Sequence, residues 1–279
     1  MNASLRAPAG APATASRGSS RSFHPLRFIG HHTREGITGL GQITTFVAST
    51  FTHAARPPFG VRAYLYQLLQ VGIRSLPLSL TTALFAGMVL AFQFGYGLSR
   101  FGARLFIGQT TVTALVRELG PMLTALVVGS RIGAGMAAEL AGMAVTEQLD
   151  AVRALGADPL QRLVAPRIAA AMIALPLLTI LADVVGFGGG MIIAALQYDV
   201  SPTLYTQGVL GFVEINDFGS GILKITVFAF LIATISCREG MRARGGTEGV
   251  GRATTRAVVA SALSVLISDF FLTKLMLST

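Results

Sequence analysis

The sequence predicts an all-α integral membrane protein with an N-terminal interfacial helix, five transmembrane helices and a cytoplasmic helix between two of them. Composition is the first observation behind this prediction, because 52% of the 279 residues are hydrophobic and only 13% are charged. A soluble domain carries about 25% charged residues, so a soluble protein of this length would lack the charge to cover its surface. The second observation is a series of long uncharged runs separated by basic segments. The single cysteine, Cys237, excludes an intrachain disulfide scaffold.

The first 75 residues precede the predicted spans. Residues 1–34 contain five arginines and no acidic residue, which predicts a disordered basic cytoplasmic tail over 1–35. The same composition also describes organelle transit peptides, so that alternative stays open. Residues 36–75 are mildly apolar, and from 61 to 76 their apolar side chains recur at helical spacing. We therefore predict an amphipathic helix that lies in the membrane interface.

Five later segments are long and apolar enough to cross a membrane. The first is the clearest, because no charged residue occurs in the 25 positions between Arg74 and Arg100, and ~20 apolar residues suffice for a helical span. Residues 99–113 are expected to form a polar connection, and the acidic segment 199–217 a loop. The predicted membrane domain is 76–279, with spans at about 76–98, 115–138, 163–197, 219–237 and 257–277.

The distribution of basic residues predicts the orientation. Segments 1–74, 147–167 and 238–256 contain 16 of the 22 lysines and arginines. Cytoplasmic loops of membrane proteins are enriched in these residues, so we expect all three segments, and the N-terminus, in the cytoplasm. With five spans, the C-terminus then lies on the opposite, periplasmic side.

An amphipathic helix is predicted over 143–158, between the second and third spans. Val145, Leu149, Val152 and Leu155 form its apolar stripe, and Gly156 suits its C-terminal cap. The pattern alone leaves open whether this helix lies on the lipid surface or binds a cytoplasmic protein.

Motifs of enzymatic chemistry are missing from the sequence. There is no G-x-x-x-x-G-K-[ST] motif and no serine nucleophile elbow. The four histidines, at positions 24, 31, 32 and 53, lack the spacing of metal ligands. We therefore predict no catalytic residue, metal site or cofactor in this chain, and the basic balance is assigned to the membrane surface rather than to nucleic acid.

Charges inside the spans are the most informative residues, because ionisable groups in lipid are costly and are usually paired or functional. Arg131 and Glu139 are predicted to be structural charges that pair with neighbouring helices or lie at the cytoplasmic interface. Asp183 and Asp269 are predicted to be structural as well, but a role as proton-relay groups in a secondary transporter stays open.

Three further charges are expected near the outer face. Arg117 and Glu118 begin the second predicted span, and Lys224 lies near the start of the fourth. Together they suit contact with an anionic headgroup, although simple snorkelling to the interface is the competing interpretation.

Several sequence motifs are more specific than hydropathy and charge patterns. Through them, the sequence from 60 to 279 resembles the MlaE/YrbE permease family of ABC transporters. The motifs occur in the family's order and spacing. They are RELGP at 117–121, GSRIG at 129–133, AELAGMAVTEQLDA at 138–151, DP at 158–159, APR at 165–167 and GVGRATTRAVV at 249–259.

The resemblance implies a non-enzymatic permease subunit that works as a homodimer with two cytoplasmic ATPase subunits, which bind ATP and Mg²⁺. It also implies a periplasmic ring of MCE-domain proteins. Such complexes move phospholipids between the inner membrane and the periplasm and maintain outer-membrane lipid asymmetry. The bacterial inner membrane is therefore the expected location, and a chloroplast relative keeps the plastid envelope open.

The resemblance also assigns two groups of site residues. The predicted amphipathic helix becomes the coupling helix that contacts the ATPase, through Glu147, Gln148, Leu149, Asp150, Val152, Arg153 and Leu155. The lipid site is expected to include Arg117, Glu118, Lys224, Phe92, Phe94 and Tyr96. Two alternatives remain, namely a proton-coupled secondary transporter and a non-catalytic membrane scaffold.

Overall fold

The computed structural model describes residues 61–278, and this part of the chain contains helices and short connections but no strand. Predictions for residues 1–60, including the basic tail, lie outside the described residues. The helices are α1 (Val61–Gly72), α2 (Leu76–Arg100), α3 (Ile107–Ala114), α4 (Gly120–Leu123), α5 (Ser130–Val145), α6 (Gln148–Ala154), α7 (Ala165–Tyr198), α8 (Pro202–Phe212), α9 (Ile215–Met241) and α10 (Gly246–Leu277).

Five helical runs in the described residues are long and apolar enough to span a membrane, which confirms the predicted all-α membrane fold. Each run begins before its predicted start and the first four also end later, because the helices continue into charged flanking residues. The runs are Tyr64–Arg100, Arg104–Val145, Leu160–Tyr198, Ile215–Met241 and Gly246–Met276.

The first and third spans pack side by side in the same direction. Gly72 faces Ala174 near their beginnings, and further along a Cβ at Gly87 would overlap the carbonyl oxygen of Gly186. Glycine allows two helix backbones to approach this closely in a membrane. α1 leads into α2 through a 3₁₀ turn, Ile73–Ser75, so the predicted interfacial helix and first span form one nearly continuous run.

The second span is built from several pieces. Two π-helical turns, Leu115–Leu119 and Thr124–Gly129, separate α3, α4 and α5. Residues 107–114 belong to the helix, so the predicted polar connection over 99–113 is too long. The uncharged polar residues of α3 obscured the helix, which forms because Ile107, Thr111 and Val112 are buried.

The acidic segment 199–217 contains a helix, α8, where only a loop was predicted. Ser201 caps its N-terminus by accepting a hydrogen bond from the Leu204 N–H, and Pro202 occupies the first turn. Tyr205 and Val209, four residues apart, are buried on one face, and the Tyr205 ring packs against Phe187 with centroids 5.4 Å apart. This short signal was hidden by the acidic residues around it.

The predicted cytoplasmic helix is shorter than the 143–158 expected. α5 continues to Val145. Glu147 then adopts a left-handed conformation (φ 59°), which separates α5 from α6. At the other end Gly156 is also left-handed (φ 75°), and the N–H groups of Gly156 and Ala157 donate to the carbonyls of Arg153 and Val152. This Schellman motif ends the helix at the predicted cap.

α6 and α8 lie at opposite ends of the bundle, because α7 crosses from one to the other. These ends are called the α6 end and the α8 end below. The main core lies between α5, α7 and α9, where Leu140, Leu175 and Phe228 are fully buried. Cys237 belongs to the same core and is completely buried.

Candidate functional site

A cluster of ionised side chains lies in the α8-end half of the bundle, where the second, fourth and fifth spans meet. At its centre is Lys224 of α9, which is 1% exposed. Its Nζ donates to Glu118 Oε2 at 2.6 Å, to Thr273 Oγ1 at 2.7 Å and to the Arg117 carbonyl at 3.2 Å. An ammonium group has three N–H donors, so all three are satisfied by the protein.

Two more carboxylates complete the cluster. Asp269 Oδ1, on α10, lies 3.5 Å from Lys224 Nζ. The Arg117 guanidinium lies 3.4 Å from Asp217 Oδ1 near the start of α9. The cluster therefore contains two cations and three carboxylates, with Lys224 in contact with Glu118 and Asp269, and Arg117 in contact with Asp217.

The local backbone explains why Arg117 and Glu118 project here. Both residues lie in the π-helical turn Leu115–Leu119, and Pro121, one turn later, has no N–H to donate. Single π turns inside α-helices change the direction of neighbouring side chains and occur often at functional sites. The turn directs Glu118 to Lys224 and the Arg117 guanidinium to Asp217.

An open cavity of about 460 Å³ adjoins the cluster. Arg117 and Glu118 belong to its lining, and their side chains are 35% and 40% exposed. The remaining lining residues come from one side of α3, and most of them are polar: Gln109, Thr110, Thr113 and Ala114. Charged and polar side chains in such a lining, inside a membrane span, suit an occupant that carries polar groups together with apolar ones.

The structure brings together three of the six predicted lipid-site residues, Arg117, Glu118 and Lys224. The aromatic residues lie elsewhere on α2. Phe92 and Tyr96 are exposed and Phe94 is half-buried, and none of the three lines the cavity. Sequence reasoning did not select Asp217 or Thr273. Thr273 could have been found, because it follows Asp269 by four residues and therefore shares its helix face.

The other predicted intramembrane charges occupy different surroundings. Arg167, at the start of α7, donates from Nη2 to Glu139 Oε2 at 2.9 Å, and from Nη1 to the Leu163 carbonyl at 2.8 Å. Arg131 donates to the Ser75 hydroxyl at 2.8 Å. Asp183 is 8% exposed, and within the described part of the chain its Oδ1 has no hydrogen-bond partner.

At the α6 end, helix α6 exposes most of its side chains. Leu149 is buried against the bundle, Val152 is half-buried and Leu155 is 86% exposed. Arg153 pairs with Asp150 at 2.7 Å, and both are exposed. Glu147 and Gln148 are exposed as well. α6 is thus anchored through one leucine and presents another to its surroundings.

Among residues 61–278, no group of three His, Cys, Asp or Glu side chains is placed to hold a metal ion.

Comparison with known proteins places the chain in a family. The family described as Permease MlaE matches residues 64–275. A "Probable ABC transporter permease protein" of Rickettsia typhi is 41% identical over 89% of this chain and 96% of its own length. A protein of Synechocystis with the same description is 41% identical over 81% of this chain and 86% of its own.

A plant relative extends the comparison. The protein TRIGALACTOSYLDIACYLGLYCEROL 1, chloroplastic, of Arabidopsis thaliana is 38% identical over 76% of this chain and 60% of its own length. The match to the family covers the charged cluster, the cavity and α6 together. The chain is therefore a multi-pass ABC transporter permease that belongs to the MlaE permease family.

Proposed function

We propose that this permease moves phospholipids between the inner membrane and periplasmic MCE-domain carriers, as a homodimer powered by two cytoplasmic ATPase subunits. The observation that carries the proposal is the cavity beside the charged cluster. It places a guanidinium, a carboxylate and hydroxyl groups inside an apolar span, next to lipid-facing surface. A phospholipid matches this combination, because it has a charged headgroup and apolar acyl chains. The name of the plant relative, which is that of a lipid, supports a lipid substrate.

The orientation follows the basic segments, with the α6 end in the cytoplasm and the α8 end in the periplasm. ATP and Mg²⁺ are then bound by the partner subunits at the α6 end. Transport requires that nucleotide-driven movement of α6 changes the lipid site, because a lipid moves only if its affinity differs between two states of the permease. A bacterial inner membrane is the proposed location, with the plastid envelope as the alternative.

The lipid site is tested by replacing Arg117 with Gln in the purified complex. We expect retained phospholipid and lipid transfer to fall together, because the exposed cation at the cavity is lost. Lys274→Gln is the matched control, since Lys274 is exposed and is not a lining residue. Unchanged lipid binding in the Arg117 variant would remove the cavity from the mechanism.

The contact with the ATPase is tested with two leucines of the α6 region. Leu155→Asp adds a charge to a side chain that is already exposed, so we expect ATPase co-purification to be lost while thermal stability is kept. Leu149→Asp places a charge in a buried position, and both properties should fall. If the ATPase still co-purifies with the Leu155 variant, α6 is not the coupling element.

A proton-coupled secondary transporter is the second candidate, and one observation favours it. Asp183 is a buried acid whose Oδ1 lacks a hydrogen-bond partner among residues 61–278. Asp269 Oδ1 also lacks a hydrogen-bond partner among these residues, but it lies 3.5 Å from Lys224 Nζ in the ion-pair cluster. Asp183→Asn distinguishes the two functions in vesicles that contain the complex. Unchanged ATP-dependent transport in this variant, together with wild-type transport that ignores an imposed pH gradient, would exclude the second candidate.

A further inference from the structure

We infer that the cavity selects zwitterionic phospholipids, whose headgroup carries both a phosphodiester and an ammonium group, over anionic ones. The inference rests on the proposed function, since it concerns the headgroup of the transported lipid. It comes from the charges that the cavity offers and from those that it does not.

Lys224 does not offer its charge to a ligand. Its side chain is almost completely buried, and Glu118, Thr273 and the Arg117 carbonyl accept its three N–H donors. A phosphate that replaced one of these acceptors would leave the displaced carboxylate or hydroxyl unsatisfied in a buried site. The lysine therefore orients Glu118 rather than binding the headgroup.

The charged groups that reach the cavity are one cation and one anion. The Arg117 guanidinium can donate to a phosphodiester, and guanidinium groups suit phosphate geometry well. The Glu118 carboxylate can accept from an ammonium group. Both side chains are more than one-third exposed and line the same cavity. A headgroup with both charges satisfies the two residues at once.

The balance of the cluster disfavours a ligand that is only anionic. Arg117 and Lys224 are in contact with three carboxylates, those of Glu118, Asp217 and Asp269. Both cations are therefore already paired with carboxylates, and neither is left over for a second anion. A headgroup with a phosphodiester and no cation would bring a second negative charge next to Glu118 without adding a cation beside it, and repulsion of this kind is an effective source of specificity.

Thr273 contributes to this selection as a positioning residue. Its hydroxyl accepts from Lys224 Nζ at 2.7 Å and donates to Glu118 Oε2 at 3.2 Å. It thereby connects the buried cation to the carboxylate that faces the cavity. The conservative variant Thr273→Ser retains this hydroxyl, whereas Thr273→Val removes it at similar volume.

The experiment measures which lipids the full-length permease retains in its complex. The complex is incubated in vesicles of equal phosphatidylethanolamine and phosphatidylglycerol, extracted, washed free of loosely held lipid and analysed by mass spectrometry. We expect phosphatidylethanolamine to be enriched by about five- to tenfold, the effect of one partly screened charge contact. Glu118→Gln should abolish most of this enrichment, and Thr273→Val should reduce it while Thr273→Ser preserves it. Glu248→Gln, which removes an exposed carboxylate that does not line this cavity, is the control.

The possible failures are distinguishable. If lipid is retained in the ratio of the vesicles, or phosphatidylglycerol is enriched, the headgroup inference is wrong and the proposed function stands. If the wild-type complex retains no more lipid than its Arg117→Gln variant, the inference and the proposed lipid site both fail. Should the Glu118 variant not fold, the wild-type ratio and the pair of Thr273 variants still decide the question.

Discussion

Two sets of intramembrane charges in this permease differ in how many partners each charge has. Toward the α6 end each cation has a single side-chain partner, since Arg167 binds Glu139, and Arg131 binds the hydroxyl of Ser75. In the α8-end half, Lys224 is shared between Glu118, Asp269 and Thr273, and an open cavity adjoins the group. The pairwise contacts connect helices, whereas the shared cluster leaves charge available to a ligand. A charge within a span is therefore best interpreted from its partners rather than from its presence.

The largest effect on stability is expected at the centre of the shared cluster. Lys224→Met keeps the length of the side chain but leaves Glu118 and Asp269 without their cation. Breaking a buried ion pair costs about 3–5 kcal/mol, so the thermal transition of the purified protein should fall sharply. The triple variant Lys224→Met, Glu118→Gln, Asp269→Asn should recover most of this loss. A single Lys224 variant as stable as the wild type would mean that the cluster is not paired in the membrane.

The next largest effect on stability is expected at the contact between α5 and α7. Glu139→Gln removes the charged acceptor of Arg167, whose side chain is 8% exposed. A hydrogen bond to a charged group contributes about 1.5–3 kcal/mol, and we expect a loss in this range with unchanged lipid retention. A double-mutant cycle with Arg167→Met isolates the pair. Loss of lipid retention at full stability would contradict the distinction between the two regions.

A smaller effect is expected at the 3₁₀ turn before α2. Ser75→Ala removes the acceptor of Arg131, which is itself exposed, so the guanidinium can be hydrated instead. The loss should be about 0.5–1.5 kcal/mol, measured as a shift of the same thermal transition. Ser75→Thr retains a hydroxyl and is the control. A loss as large as that of the Lys224 variant would show that this contact is not a simple pairwise one.

The smallest effect on stability is expected from Arg117→Gln, the variant that should most reduce lipid retention. Its contact with Asp217 is 3.4 Å long and partly exposed, and such pairs contribute about 0–1 kcal/mol. Near-normal stability with reduced lipid retention would sharpen the comparison. A strong loss of stability would mean that Arg117 connects helices rather than serving the ligand.

The fold was largely predictable, because a helix that crosses a lipid bilayer needs a long apolar segment, which is visible in the sequence. Long apolar segments located all five spans, although the second contains Arg117, Glu118 and Arg131, and Gly156 marked the end of the helix between the second and third. The helix over α3 was missed because its buried face includes Thr111, which is polar but fully buried. Hydropathy does not register a threonine that packs inside a bundle.

The site was predictable only in part. Arg117, Glu118 and Lys224 were selected from the sequence, and they meet in space. That Lys224 is saturated by acceptors from two other spans depends on the relative positions of three helices, which no local pattern specifies. The polar lining of α3 also escaped notice, because Gln109 and Thr113 were assigned to a connection rather than to a helix face. The aromatic residues of α2 were chosen for their chemistry, and the cavity lies elsewhere.

The contact between the first and third spans limits how this permease can change shape. Gly87 meets Gly186 without room for a methyl group between them, so sliding one helix by a single residue would replace a glycine with a side chain at the crossing. We expect the first and third spans to move as one rigid body during the transport cycle. The conformational change is then expected in the second span, because its π turns divide it into segments that can tilt separately.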